Sequence, residues 1–389
     1  MLPRLIYPAL LLSFLASFSL VEGWKIDQSC RKAGIYDEVN EALQLAFRMA
    51  QSGMDALERS QVWDPKDPPN AERLANDWDE VPPRPSELQD LIKNLFAHDD
   101  IINESQDLPD VPQHRLEPYK QTLKKIKLGR AYKTFRGILK GIRDPGSLDD
   151  VDWDDAIIYC DGSRYQWKNG LWAYDKENRI KRGLHKKQCF SPLDKLTTLA
   201  ETYASASRDD GNLAPSTIQL CRPLIKAVQQ SQKTKNSYLG YKWRNIKSSI
   251  EKSAAGKFRQ IDIMGNSLPV VLLHEMTHTT PGVVRDDVKV ADGGIFGISK
   301  GAAYGWENIR RLAKKLPYVD KGENTACDNN ADSLAYFALG CKLMSDSDNP
   351  FIITDEGILD PLDQAVGWTP NSWKRRWQRQ AFRYLDTLS

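Results

Sequence analysis

Apolar residues return at helical intervals from Tyr36 to Leu57, where Val39, Leu43, Ala46, Phe47, Ala50 and Met54 fall on one broad face. The spacing predicts a long amphipathic helix packed on a core. A helical piece is expected near Leu88–Ala97, inside a proline-rich, acidic interval from Asp64 to Pro118 that reads as an irregular insertion. From Tyr119 to Arg143, Leu123, Ile126, Tyr132, Phe135 and Leu139 interleave with Lys124, Lys125, Lys127, Arg130, Lys133, Arg136 and Lys140. That pattern is amphipathic, and its basic side is either the wet face of a packed helix or a surface for an acidic partner or membrane. Strands are expected at Ala156–Tyr159, at Leu171–Tyr174 after a turn at Lys168-Asn169-Gly170, and at Thr217–Cys221. The run Val270–Leu273 is wholly apolar and leads straight into a histidine-bearing stretch.

The first apolar run is of another kind. Leu5 to Val21 follows Arg4 and ends at the small residue Gly23, the pattern of a signal peptide cleaved near Gly23–Trp24. It is short for a membrane anchor, and no later stretch predicts a stable span. A secreted, extracellular protein is the expectation. Six cysteines, Cys30, Cys160, Cys189, Cys221, Cys327 and Cys341, then suggest three disulfides with the pairing left open. None of them forms a C-x-x-C pair, which argues against a cysteine-bound zinc. Asn103-Glu104-Ser105 is a glycosylation sequon. A net charge of +2 over 389 residues provides no bulk field that selects nucleic acid.

The chemistry-bearing stretch is His274-Glu275-Met276-Thr277-His278. Histidines four apart on a helix stand one above the other on the same face, about 6 Å apart along the axis. Both imidazoles can therefore converge on one zinc ion at roughly 2.0–2.1 Å. Glu275 follows the first histidine and points beside the metal, placed to take a proton from a water there and return it to the leaving amine. Zinc needs a third protein ligand. No histidine follows His278, and Pro281 and Val284 stand where the longer H-E-x-x-H-x-x-G-x-x-H pattern needs Gly and His. The third ligand is thus expected to be a carboxylate, with Glu307 and Asp332 the downstream candidates on helices and Asp328 just before the second.

His274 to His278, then Ala303-Tyr304-Gly305-Trp306, then Asn330-Ala331-Asp332-Ser333-Leu334-Ala335-Tyr336-Phe337-Ala338, occur in that order. Together they resemble the aspzincins, the fungal deuterolysin-like and lysine-specific metallo-endopeptidase group, over about Leu213 to Met344. The resemblance implies that the third zinc ligand is an aspartate on a downstream helix, matched here by Asp332. The chain departs from the family at Asp328-Asn329, where the deuterolysin form carries Gly-Thr upstream of the ligand, and at Leu334, where several relatives carry an aromatic. Tyr336 falls at i+4 from Asp332, and Tyr336 or Tyr304 is the candidate to assist the transition state; the alternative for each is a packed core tyrosine. Asp286, Asp287 and Asp292 accompany a glycine-bearing loop that either lines the substrate cleft, favouring a basic side chain, or is an ordinary solvated loop. The cluster Trp373-Lys374-Arg375-Arg376-Trp377 reads as a terminal helix that buries Trp, or as a contact for an anionic surface.

The expected fold is α+β, zincin-like, mostly helical with a small sheet and the H-E-x-x-H helix. Residues 1–23 form the signal peptide, 24–150 a helical region that is a propeptide or part of the domain, and 151–389 the catalytic domain. The expected function is secreted metalloendopeptidase with Zn2+ as cofactor and a protein or peptide substrate, His274, His278 and Asp332 as ligands, and Glu275 and Tyr336 as catalytic groups. The alternative is a secreted interaction protein that keeps the fold without turnover.

Overall fold

The computed structural model describes residues 23–59, 85–96, 128–140, 151–168, 172–182, 189, 198–234, 259–290, 301–313, 327–346 and 350–361. The N-terminal run expected to be a signal peptide, the sequon at Asn103, Asp292 and the Trp373–Trp377 cluster lie outside these residues, as does most of the proline-rich interval.

The main sheet has four strands in the order β1-β2-β9-β6. Strands β1 (Trp24–Ile26), β2 (Ala156–Tyr159) and β9 (Ser216–Leu220) run parallel. Strand β6 (Ala200–Tyr203) closes the series antiparallel to β9, with Thr202 opposite Ile218. Every residue of β2 and β9 is buried, as strands covered on both faces must be. One cover is a three-stranded antiparallel sheet of β3 (Tyr165–Lys168), β4 (Trp172–Asp175) and β5 (Ile180–Arg182). It is locked on by Arg164, which is fully buried and donates to Asp175 at 3.0 Å and to Gln219 of β9 at 2.6 Å. The guanidinium also lies 3.6 Å above the Tyr159 ring. A small β7–β8 ladder, Ala206–Ser207 with Leu213–Ala214, precedes β9.

The helices supply the other cover. α1 (Tyr36–Arg59) buries the expected apolar face, Val39, Leu43, Ala46, Phe47, Ala50 and Met54. α2 (Pro85–Phe96) and α3 (128–140) follow, then α4 (Arg222–Thr234), α5 (Leu268–Thr277), α6 (Trp306–Ala313) and α7 (Ala331–Met344). α1 packs on both α5 and α7, and those two pack on each other. Phe337 of α7 meets Phe96 edge-on at 5.6 Å and stacks on Phe135 of α3 at 6.2 Å. The basic segment thus buries Leu128, Ala131, Tyr132, Phe135 and Ile138 within α3. The described parts of 24–150 belong to the same core as the histidine helix: β1 extends the sheet and α1 backs α5.

The architecture is mixed α and β, with several small sheets. Among the described residues no helix is long and apolar enough to cross a membrane. Three disulfides were expected, and two form, Cys30–Cys160 and Cys189–Cys221. Cys327 and Cys341 are buried and take part in neither bridge. Cys341 sits inside the wholly buried second half of α7, and the Cys327 thiol faces the Phe96 carbonyl at 3.9 Å.

Candidate metal centre

α5 begins after Ser267, with Pro269 in its first turn, where a missing N–H costs no helical hydrogen bond. Val270, Val271, Leu272, Leu273 and Met276 are buried, so the helix is held rigidly from behind. His274 lies in its last turn and His278 at its C-cap. The chain then reverses tightly. Val283 and Val284 both adopt positive φ, +68° and +47°, a region that β-branched residues rarely enter. Gly282 has no room for a side chain there, since a Cβ would come within 2.0 Å of the Met276 carbonyl oxygen. This reversal brings Arg285 back along the helix end, its N–H donating to Thr277 O at 2.8 Å. Asp286 then pairs with the strand-like segment before α7, donating to Asn329 O at 3.0 Å and accepting from Ala331 N–H at 3.0 Å.

The outcome for the histidines is specific. Nδ1 of His278 lies 2.6 Å from the Arg285 carbonyl oxygen, and Nδ1 of His274 lies 2.7 Å from Oδ1 of Asp332. Both partners are acceptors, so each Nδ1 carries the hydrogen and each Nε2 presents a lone pair when the ring is neutral. The two Nε2 atoms stand 3.2 Å apart, and Oδ1 of Asp287 is 3.4 Å from each. Three acceptors facing one another at these distances repel unless a cation lies among them or the rings take up protons. A tetrahedral ion with bonds of 2.0–2.1 Å has ligand atoms about 3.3 Å apart, the size of this triangle. Oδ1 of Asp287 is moreover buried without a hydrogen-bond partner, while Oδ2 accepts from the Tyr304 hydroxyl at 2.5 Å. The donor set and its unused oxygen therefore fit a zinc ion, and His274, His278 and Asp287 form a metal-capable cluster.

Electrostatics point the same way. Burial pulls both imidazole pKa values down, but the Asp287 carboxylate, joined at His274 by Asp332, more than offsets it, and both end raised. Burial pushes Asp287 up, yet the two histidines hold its carboxyl far below the usual range. The cluster attracts positive charge.

The expected residues are distributed unevenly. His274, Glu275 and His278 sit together as the spacing requires. Asp332 reaches the site, but from behind the His274 ring, and its second oxygen is taken by the Gly305 N–H at 2.7 Å. Gly305 needs its positive φ of +77° for that approach. Glu307 is on the surface with Arg259 and Arg311, and Asp328 is buried beside Arg130 at 3.5 Å; neither reaches the histidines. Tyr336 is buried and gives its hydroxyl to Oδ1 of Asp262 at 3.0 Å, with its ring stacked on Trp306 at 6.4 Å. Tyr304 is half-exposed, with its ring 5.8 Å from that of His274. Glu275 is 7% exposed, and its Oε2 accepts from the Thr202 hydroxyl of β6 at 2.6 Å.

Sequence reasoning missed two residues, Asp287 as a member of the cluster and Thr202 beside the glutamate. The sequence places Asp287 either in the lining of a cleft or in an ordinary solvated loop; the signal available for more was a carboxylate soon after the second histidine. A second grouping, Cys189, Glu201 and Cys221, has metal-like spacing, but its two sulfurs are joined in a disulfide. Comparison with protein-family models, with curated proteins and with solved structures finds no match for this chain.

Proposed function

We propose that this protein is a zinc-dependent metalloendopeptidase, with His274, His278 and Asp287 as the metal ligands and Glu275 as the general base. The observation that carries the reading is the triangle of two Nε2 atoms and an otherwise unpartnered carboxylate oxygen, at 3.2, 3.4 and 3.4 Å, with a buried glutamate in the same helical turn. Zinc, when bound, supplies a Lewis acid that acidifies water and polarises a carbonyl. The chain's own residues do the rest. Arg285 O and Asp332 fix the tautomer and tilt of the two imidazoles, and Tyr304 holds the outer oxygen of Asp287. Glu275 accepts a proton as water attacks and passes it to the departing amine.

The sheet supports an extended peptide as the substrate class. Among the described residues β6 has a strand neighbour on one side only, and Thr202 links it to Glu275. An extended peptide laid along such an edge satisfies its main-chain groups without a requirement for its termini, which favours internal cleavage. The two disulfides are compatible with an extracellular setting, and secretion is part of the proposal.

The test is zinc analysis together with cleavage of an unfolded protein. Glu275→Gln is expected to keep zinc and lose cleavage. Full activity in that variant would sink the assignment, and zinc bound by a wild type that cleaves nothing would favour a non-catalytic binding role.

A further inference from the structure

Glu275 is held as well as buried. Its Oε2 takes the Thr202 hydroxyl at 2.6 Å, and the same hydroxyl oxygen lies 3.3 Å from the main-chain oxygen of Glu275. No other hydrogen bond to this carboxylate is present among the described residues, so Oε1 is the oxygen left to take up a proton. Side chains alternate along a strand. Thr202 turns toward α5, whereas Glu201 and Tyr203 face the other way and bond each other at 3.1 Å. The segments that follow are joined too: Ser205 N–H, just after β6, donates to Thr280 Oγ1, just after α5, at 3.3 Å, and Thr280 N–H donates to Ser216 Oγ of β9 at 3.0 Å. Hydrogen bonds thus join β6 to the last turn of α5, and the residues just after each element to one another.

We propose that Thr202 is a positioning residue for the general base: its hydroxyl fixes which oxygen of Glu275 works, and it couples the orientation of that carboxylate to the edge strand where the peptide lies. The inference rests on the peptidase reading of the cluster. A buried carboxylate deprived of this donor is freer to turn, and it loses an interaction that is strong because one partner is charged. Valine keeps the shape of threonine and lacks the hydroxyl; serine keeps the hydroxyl and lacks the methyl.

The experiment compares the zinc-loaded full chain with Thr202→Val and Thr202→Ser. Two readouts are taken: kcat and KM on an unfolded protein or long peptide, and the Kd of a simple hydroxamate, whose hydroxyl proton needs a carboxylate acceptor beside the metal. For Thr202→Val, kcat is expected to fall about tenfold or more with KM nearly unchanged, and the hydroxamate to bind about tenfold more weakly, while zinc content and thermal midpoint stay as in the wild type. Thr202→Ser is expected to recover most of both. A valine variant with wild-type kcat and hydroxamate affinity overturns the proposal, as does a serine variant as impaired as the valine one. If the wild type cleaves nothing, the peptidase reading fails, and the hydroxamate comparison still decides the role of Thr202.

Discussion

Asp332 approaches His274 from behind: its Oδ1 stands 2.7 Å from Nδ1, on the side of the ring away from Asp287. The two aspartates therefore have separable effects on metal. Asp287→Ala removes a proposed ligand and is expected to leave substoichiometric zinc after dialysis. Asp332→Asn keeps the shape but weakens the bond that orients the ring, with a loss of affinity of about 10- to 100-fold. Competition with a chromogenic chelator measures both. Zinc retained by Asp287→Ala and lost by Asp332→Asn would reverse the ligand assignment.

The two tyrosines separate in the same way. Tyr336→Phe deletes a buried hydroxyl bonded to Asp262, at a cost of about 1–3 kcal/mol in stability, with activity expected within about twofold of wild type. Tyr304→Phe frees Oδ2 of Asp287 and is expected to lower kcat/KM by about tenfold with little effect on the thermal midpoint. Chemical denaturation and steady-state kinetics on the two variants check the pair.

Val283 and Val284 hold left-handed backbone angles while remaining about half-exposed. Strain of this kind costs about 1–3 kcal/mol per residue. Val284→Gly relieves it and sacrifices little burial, so a rise in stability of about 1 kcal/mol is expected after the greater freedom of glycine in the unfolded chain is counted. A lower thermal midpoint in this variant would refute the strain.

Arg164 and Asp175 are both fully enclosed. Arg164→Met or Asp175→Leu strands a charge and is expected to cost about 3–5 kcal/mol, whereas the double variant costs less than the two single changes combined. Urea titration of all four proteins gives the coupling.

In the metal-free protein both histidines have raised pKa values, which contribute stability that is present below about 6.5 and lost as pH rises through the elevated folded values. Asp287 is lowered and contributes above the usual carboxylate range, a contribution lost as pH falls. The chelated protein should thus be most stable in mild acid, with its thermal midpoint declining toward neutral pH. The zinc-loaded protein should show the reverse slope over the histidine range, and zinc uptake at neutral pH should release protons. Calorimetric zinc titration in two buffers of different ionisation enthalpy measures that release.

The legible parts of this chain were those whose pattern is local. The period of α1 and the four-residue spacing of His274 and His278 survive folding unchanged, and β2 and β9 appear within a residue of the expected runs. The place of Asp287 beside the two histidines was not legible, because it depends on two valines in a backbone region that their own propensities oppose. The helix bearing Asp332 was visible, but the choice between the front and back of the His274 ring is made by Gly305 and its turn. Strand β6 is four residues of mixed polarity, Ala-Glu-Thr-Tyr, and its identity comes from pairing with β9 and leaning on α5.

Helix α1 lies near the start of the chain and packs against α5 and α7 from its last third. During synthesis its apolar stripe emerges long before α5 and α7 exist to cover their share of it. Contacts this distant in sequence are slow to form, so α1 passes through a period in which it is sticky. Truncations that remove α7 should therefore yield an aggregation-prone chain in place of a smaller folded unit. Successful expression will depend on how well the cell shelters α1 until α7 arrives.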